Sequence, residues 1–174
     1  VAGVDFEAWI DYLEQILSKF DHQPRTVLDL GCGTGNTLFP LARRGYKAIG
    51  VDISPQMVAI AEQKARGSDV DVTFLIQDMR SFQLSEPVDL VTCFHDCLNY
   101  LLVYEDLLQT FSSIKENLAP EGLFVFDLNT IKWLADVSPG AGELKEKRIS
   151  LAWESKYNPR GPVWEVSIKG YIED

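Results

Sequence analysis

The chain has 174 residues, of which 46% are hydrophobic, and a formal net charge of −10. This length fits about one domain, and this composition can supply a hydrophobic core, so intrinsic disorder is not expected. The acidic balance disfavours nucleic acid as a partner, because a phosphate backbone would be repelled. No apolar run approaches the roughly 20 residues of a membrane-spanning helix, so no membrane partner is expected.

The three cysteines, Cys32, Cys93 and Cys97, have no paired spacing. They therefore predict neither a disulfide framework nor a metal site, and no bound metal is expected. Free thiols fit a reducing compartment, so we expect a cytoplasmic protein. We interpret the three thiols as small buried hydrophobic side chains.

Apolar residues at three- and four-residue spacings predict an amphipathic helix over residues 5–20. Strands and helices then alternate along the chain. The predicted strands cover residues 26–30, 47–51, 72–76, 88–94 and 123–128. The predicted helices cover residues 36–44, 55–66 and 105–118, and a turn is predicted at residues 120–122. Such alternation implies right-handed crossovers, and hence an α/β fold with a Rossmann-like, doubly wound, mostly parallel sheet.

The alternating pattern ends near residue 129. Residues 149–157 and 162–172 are predicted as two antiparallel strands around a turn at residues 158–161. The charged segment 143–148 is predicted to be irregular, because Gly140 and Gly142 loosen it. We therefore predict two domains, 1–130 and 131–174, of which the second is a partial antiparallel β subdomain or lid.

A glycine-rich turn at residues 27–35 is the most informative motif, with sequence Val-Leu-Asp-Leu-Gly-Cys-Gly-Thr-Gly. A strand, a glycine turn and a helix allow a nucleotide-like ligand to approach bare backbone at Gly31 and Gly33. A dinucleotide fingerprint would place its third glycine where Asn36 stands. The third glycine, Gly35, comes one residue early, which argues against a dinucleotide, and an acidic residue, Asp29, precedes the turn.

Acidic residues close the next two predicted strands. Asp52 can accept hydrogen bonds from both ribose hydroxyls, and Ile53 offers an apolar face for a base. Asp78 can accept from an adenine amine, while the backbone amide of Met79 can serve a ring nitrogen. The order of these residues on successive strand ends predicts one ligand at this edge of the sheet.

Five segments together resemble the motifs of class I S-adenosylmethionine (SAM) dependent methyltransferases. They are residues 29–35, 50–54, 77–79, 88–94 and 118–123. The resemblance covers about residues 26–129, and residues 96–101 are similar to a bacterial subgroup that acts on small molecules. The resemblance implies SAM as the cofactor. The implied cofactor-binding residues are Asp29, Gly31, Cys32, Gly33, Asp52, Ile53, Asp78, Met79 and Phe94.

The family sheet closes with an antiparallel hairpin, for which this sequence supplies no segment before Asp174. We therefore expect missing closing strands and an incomplete chain, which leaves open whether the chain is active by itself.

The predicted reaction moves a methyl group from the sulfonium to a nitrogen or oxygen atom of a small-molecule acceptor by in-line displacement. His95 is the candidate general base, needed only if the acceptor must lose a proton. The alternative role for His95 is to line the pocket. Two other hypotheses stay open: a non-catalytic SAM-binding protein, and an NAD(P)-dependent oxidoreductase, because Asp52 after a glycine turn also suits the NAD ribose. The oligomeric state is not predicted.

Overall fold

The computed structural model describes residues 4–137, 140–146, 149–158, 160–161 and 163–172. The chain divides into two compact units between Leu128 and Asn129. The first unit contains the glycine turn and every predicted site residue. The second unit contains the small antiparallel sheet.

The first unit is built on a five-stranded, fully parallel sheet in the order β3-β2-β1-β4-β5. Its strands are β1 (Thr26–Leu30), β2 (Lys47–Asp52), β3 (Val72–Ile76), β4 (Val88–Cys93) and β5 (Leu118–Phe126). Its helices are α1 (Phe6–Lys19), α2 (Leu38–Arg43), α3 (Pro55–Arg66) and α4 (Tyr104–Asn117). The strand order reverses direction between β1 and β4, which is where open α/β sheets bind ligands.

Alternate residues of β1 fill two separate cores on the two faces of the sheet. Val27 belongs to a cluster with Ile10 and Leu13 of α1, whereas Leu28 belongs to a cluster with Ile114 of α4. Fully burying one such aliphatic side chain contributes about 1.5–3 kcal/mol. The two-sided burial explains why the central strands are almost continuously apolar.

Local capping fixes where the helices of this unit begin. Asp5 Oδ1 accepts a hydrogen bond from the Ala8 N–H at 3.0 Å and caps α1. Ser54 Oγ accepts from the Met57 N–H at 3.3 Å and caps α3, where Pro55 occupies the favoured first position. The end of β2 is thereby joined to α3 through a short, well-determined turn.

The strand β5 begins earlier than predicted. The residues predicted as a turn, 120–122, lie inside the strand, which starts at Leu118. Glu121 has a φ of 63°, and the pairing register with β4 shifts between Val88 and Leu90. Both are features of a β-bulge, in which a strand accommodates turn-like residues without ending.

The second unit consists of α5 (Ile131–Val137) and the strands β6 (Gly140–Glu146), β7 (Ile149–Asn158) and β8 (Val163–Ile172). The strands form an antiparallel sheet in the order β6-β7-β8. The two predicted strands are present as β7 and β8, although Pro159 of the predicted turn and Pro162 at the start of the second predicted strand lie outside the described residues.

The helix α5 and the strand β6 were not predicted from the sequence. The interpretation of segment 143–148 as irregular was wrong for 143–146, and residues 147–148 lie outside the described residues. Gly142, which suggested a loose segment, pairs with Trp153 across the ladder, and a Cβ atom at Gly142 would collide with the indole ring. The glycine therefore accommodates an aromatic ring and does not interrupt the strand.

An ion cluster joins α1 to the end of α2, and it leads to the first prediction. The Arg44 guanidinium contacts Glu7, Asp11 and Glu14 at 3.1, 2.7 and 2.9 Å. We expect Arg44→Met to lower the free energy of unfolding by about 1 kcal/mol in dilute buffer. The difference from wild type should shrink in about 1 M NaCl, where the ion pairs are screened.

Urea unfolding at the two salt concentrations measures this effect. The matched control is Arg66→Met, because Arg66 is 81% exposed and lies 3.9 Å from its one ion-pair partner, Glu62. The control should change stability little. Equal losses for the two variants would contradict a stabilising role of the cluster around Arg44.

Candidate cofactor site

A cavity of about 610 Å³ opens at the carboxyl ends of β1 to β4, beside the point where the strand order reverses. This volume lies in the usual range of small-molecule sites. The cavity brings together most of the residues predicted from the sequence. Those that line it are Gly31, Gly33, Asp52, Ile53, Asp78, Met79 and His95.

The side chains of the other three predicted residues lie in the core behind this cavity. Asp29, Cys32 and Phe94 are buried and are not among the described residues that line the cavity. Cys32 and Phe94 belong to the hydrophobic cluster next to α1, and Asp29 accepts a hydrogen bond from Thr92 Oγ1 at 2.8 Å. Their contact with a cofactor stays a prediction, and their side chains pack beneath the glycine turn.

Three backbone amides of the glycine turn, those of Gly31, Cys32 and Gly33, are already used inside the protein. The N–H groups of Gly31 and Cys32 donate to the Val51 carbonyl at 2.8 and 3.0 Å, and the Gly33 N–H donates to Asp52 Oδ2 at 2.8 Å. A diphosphate is normally held by N–H groups that point at it. This turn offers close approach and carbonyl oxygens in place of such a cradle, which favours a nucleoside without a diphosphate over NAD(P).

The carboxylate of Asp52 is held in one orientation at the end of β2. Oδ2 accepts from the Gly33 N–H and Oδ1 accepts from the Ser54 N–H, each at 2.8 Å. Each carboxylate oxygen has two lone pairs, so both can accept a further hydrogen bond. The geometry therefore suits a ligand with two neighbouring hydroxyl groups, as a ribose has.

A guanidinium fork holds the carboxylate of Asp78. Arg80 Nε and Nη2 donate to Asp78 Oδ1 and Oδ2 at 3.0 and 2.6 Å, and Arg80 Nη1 reaches Asp106 Oδ2 at 3.3 Å. The hydrogen bonds from Arg80 lower the pKa of Asp78 and keep it ionised. A ligand amine bound by Asp78 must therefore share its oxygens with Arg80.

Neither Arg80 nor Asp106 was predicted from the sequence as a residue of the site. Arg80 gave a weak signal, because its positive charge follows a predicted acidic strand end by two residues. Asp106 gave none, since it lies 26 residues further along the chain and comes close only in the folded sheet.

The residues that follow β4 form a strained turn packed against α1. His95 and Asp96 have left-handed φ values of 60° and 64°. The His95 ring contacts the rings of Phe6 and Trp9, with centroids 5.3 and 5.1 Å apart. Its Nε2 atom is buried and has no hydrogen-bond partner among the described residues. His95 lines the cavity, and its role as a general base stays a prediction.

Two buried thiols near the cavity, Cys32 and Cys93, are held in their protonated form. Cys97, interpreted from the sequence as a buried hydrophobic residue, lines the cavity with its Sγ 3.5 Å from the Gly31 carbonyl. A hydrogen bond with Cys97, together with burial, raises the pKa of Cys93, and burial raises the pKa of Cys32. Protonated thiols are poor nucleophiles and poor metal ligands.

The described part of the chain shows neither a metal-binding group of side chains nor a membrane-spanning helix. No group of three or more His, Cys, Asp or Glu side chains there is placed to hold a metal ion. No helix there has both the length and the apolar character needed to cross a membrane.

The buried Asp29 leads to a prediction on pH dependence. Burial, opposed by the hydrogen bond from Thr92 and supported by the charge of Asp52, raises its pKa from 3.8 to about 7. Between these two pH values the folded chain keeps a proton that the unfolded chain has lost, so stability falls as pH rises through this window. Asp29→Asn, which retains an oxygen to accept from Thr92, should remove this slope.

Relative to Asp29→Asn, wild type should lose about 2 kcal/mol of unfolding free energy between about pH 5 and about pH 7. Urea unfolding at a series of pH values measures the two profiles. Asp69→Asn, at an exposed position, should retain the wild-type slope. Parallel profiles for wild type and Asp29→Asn would contradict a raised pKa at Asp29.

The sheet order, the glycine turn and the acidic strand ends define a nucleoside-binding protein of the Rossmann-like type. The model of a family described as "Methyltransferase domain" matches residues 27–122. The chain belongs to the class I SAM-dependent methyltransferases, whose cofactor is SAM. This confirms the predicted family, fold class and cofactor.

Curated relatives support the family assignment. A protein of Geobacillus sp. (strain WCH70) with a provisional methyltransferase name is 39% identical over 126 residues, which are 72% of this chain and 51% of that protein. The dTDP-4-amino-2,3,4,6-tetradeoxy-D-glucose N,N-dimethyltransferase of Saccharopolyspora spinosa is 29% identical over 72% of this chain and 49% of its own length. The tRNA 5-carboxymethoxyuridine methyltransferase of Escherichia coli (strain K12) is 36% identical over 61% and 41%. The chain thus spans about half the length of the curated relatives it matches.

Solved structures share the fold. A SAM-dependent methyltransferase from Clostridium acetobutylicum ATCC 824 has a TM-score of 0.81 at 23% identity, covering 99% of this chain and 76% of that one. The SAM-bound amino pentose methyltransferase CalS10 from Micromonospora echinaspora has a TM-score of 0.71 at 22% identity, covering 99% and 78%. At these identities the likeness is one of fold.

Proposed function

We propose that this protein transfers a methyl group from the SAM sulfonium to a nitrogen or oxygen atom of a small-molecule acceptor by in-line displacement. The observation that carries the proposal is the cavity at the switch point, where two fixed carboxylates, Asp52 and Asp78, face a glycine turn in which the amides of Gly31, Cys32 and Gly33 are already used. A site that offers carboxylates in place of these amides favours a cationic nucleoside over an anionic dinucleotide.

Each lining residue has a role in holding the cofactor. Asp52 accepts from the ribose hydroxyls, and Ile53, which is 65% exposed, packs against the adenine ring. Asp78 and the Met79 amide bind the polar edge of adenine, and Gly31 with Gly33 lets the ligand approach the backbone closely.

The chemical demands on the protein are modest, because SAM supplies its own excellent leaving group. The protein has to hold donor and acceptor in line and keep water out, and such orientation can contribute several kcal/mol, up to about 7–11 kcal/mol in favourable cases. His95 serves as general base if the acceptor must lose a proton. His95 lines the cavity, and its unpaired Nε2 is the atom that would take up this proton.

The nature of the acceptor is supported by relatives and by charge. The Saccharopolyspora spinosa relative methylates an amino sugar, and the acidic balance of this chain disfavours nucleic acid. The Escherichia coli relative acts on tRNA, so the expected lack of a nucleic-acid partner stays a prediction. So do the cytoplasmic location and the role of residues 131–174 as a lid.

Calorimetry with SAM, S-adenosylhomocysteine (SAH) and NAD on the folded full-length protein tests the cofactor assignment. We expect binding of SAM and SAH and none of NAD. Release of SAH in the presence of a panel of amines and alcohols then tests turnover. Cofactor binding without turnover over a broad panel would favour the non-catalytic alternative, and NAD binding without SAM binding would sink the proposal.

A further inference from the structure

Two buried polar atoms without a partner lie at the ends of the adjacent strands β4 and β5. They are Nε2 of His95 and Oδ1 of Asp127, and neither has a hydrogen-bond partner among the described residues. A buried polar group without a hydrogen-bond partner destabilises the folded state, and a charged group does so more strongly. Native proteins seldom tolerate such a cost, so each atom calls for a partner from outside the folded chain.

The backbone of His95 and Asp96 is strained, and a hydrogen bond to Asp127 holds it in this conformation. The left-handed conformations of His95 and Asp96 are unfavourable for residues that carry a Cβ atom. The Asp96 N–H donates to Asp127 Oδ2 at 3.2 Å, and the Asp127 N–H donates to the Cys93 carbonyl at 3.4 Å. One oxygen of Asp127 thus fixes the turn that carries His95, and the other oxygen is left over.

Asp127 lies beside the cofactor cavity and does not line it. In the strand order, β5 lies on the opposite side of β1 from β2, which ends at Asp52, and from β3, which is followed by Asp78. Asp127 is therefore on the side of the site away from the residues proposed to hold the nucleoside. A methyl acceptor has to approach from such a side, because the nucleoside occupies the other.

The chemistry of the unpaired oxygen restricts what can bind there. An ionised carboxylate only accepts hydrogen bonds, so its partner must carry N–H or O–H. A buried negative charge is stabilised most by a positive charge, because a neutral donor leaves it uncompensated. A protonated amine meets both requirements, whereas an alcohol meets only the first.

Building on the proposed function, we propose that Asp127 binds the amino group of the methyl acceptor, which is an aliphatic amine. Oδ1 of Asp127 accepts a hydrogen bond from the ammonium group. His95 Nε2 takes up the proton that this group must lose before its nitrogen can attack: one N–H bond of the ammonium breaks and one N–H bond forms on the imidazole.

Binding of simple amines to the SAH-loaded full-length protein tests this assignment. The probes are ethanolamine, glucosamine and tyramine, each paired with a neutral counterpart: ethylene glycol, glucose and tyrosol. We expect at least one amine to bind more tightly than its counterpart. Asp127→Asn, which keeps an oxygen for the Asp96 N–H, should weaken that binding by about tenfold or more while the SAH affinity stays within about twofold.

The matched control is Asp71→Asn, the same charge change at an exposed position, and it should alter neither affinity. If Asp127→Asn disturbs folding, its SAH affinity will fall. The variant Asp127→Glu, in which the charge is kept but displaced, is then used in its place. It too should weaken amine binding and leave the SAH affinity unchanged. Unchanged amine binding in the variant, equal weakening of the neutral counterparts, or no amine binding to wild type would each overturn the assignment. Failure of wild type to bind SAH would refute the proposed function itself.

Discussion

Asp52→Ala is expected to weaken SAM binding by about 100-fold or more. The carboxylate is held by the amides of Gly33 and Ser54 at 2.8 Å, so it meets the ribose hydroxyls without reorganisation. Two hydrogen bonds to a charged group, each worth about 1.5–3 kcal/mol, give a loss of about 3 kcal/mol or more. Calorimetric titration with SAM and with SAH measures the loss, and both ligands should be affected alike because they share the ribose.

Two further variants separate the ribose contact from other effects of the substitution. Asp52→Asn keeps one oxygen acceptor and should lose less affinity than Asp52→Ala. Asp69→Ala removes an exposed carboxylate of the same unit and should leave the affinity unchanged. If Asp52→Ala binds SAM as wild type does, with an unaltered unfolding transition, then Asp52 does not hold the ribose.

The residues proposed to hold the nucleoside could be predicted because the topology brings distant segments to one edge. In a parallel sheet all carboxyl ends meet at the same side, so knowing that Asp52 and Asp78 close neighbouring strands was enough to place them together. The strands themselves were predictable because burial on both faces makes them continuously apolar. Periodicity and turn chemistry are local, and they sufficed here.

The contacts that tune the site could not be predicted in this way. The ion pair between Arg80 and Asp106 joins residues that are 26 positions apart. The hydrogen bond between Asp96 and Asp127 joins residues that are 31 positions apart. They depend on side-chain directions within the fold, on which local pattern carries no information. The same limit explains β6, where Gly142 is suited to a strand only because Trp153 lies across from it.

Gly31 also depends on a residue that is distant in the sequence. Glycine is needed at this position for two reasons, its backbone conformation and its close contact with Cys97. Gly31 has a φ of +74°, and a Cβ atom there would lie 2.6 Å from Cys97 Sγ. Gly31→Ala should therefore lower the free energy of unfolding by about 2–5 kcal/mol, from about 1–2 kcal/mol of left-handed strain and about 1–3 kcal/mol of overpacking. Urea unfolding of the variant measures the sum.

Two comparison variants divide that sum into its parts. Gly45→Ala has the left-handed cost alone, because Gly45 has a φ of +92° and open space where a Cβ would stand, so it should lose about 1–2 kcal/mol. In a Cys97→Ala background the sulfur is gone and the nearest atom is the Cys97 Cβ at 3.1 Å, so Gly31→Ala should cost about 1 kcal/mol less than in wild type.

Additive losses in this double-mutant cycle would mean that backbone conformation alone requires glycine at residue 31. A coupling of the expected size would mean that the turn is shaped by close contact with the segment that follows β4. That segment also carries His95, so the cofactor turn and the candidate general base would then be positioned by one packing interaction. Gly31→Ala should in that case reduce SAM affinity even in molecules that remain folded, because the displaced Cys97 and the added methyl group both border the cavity.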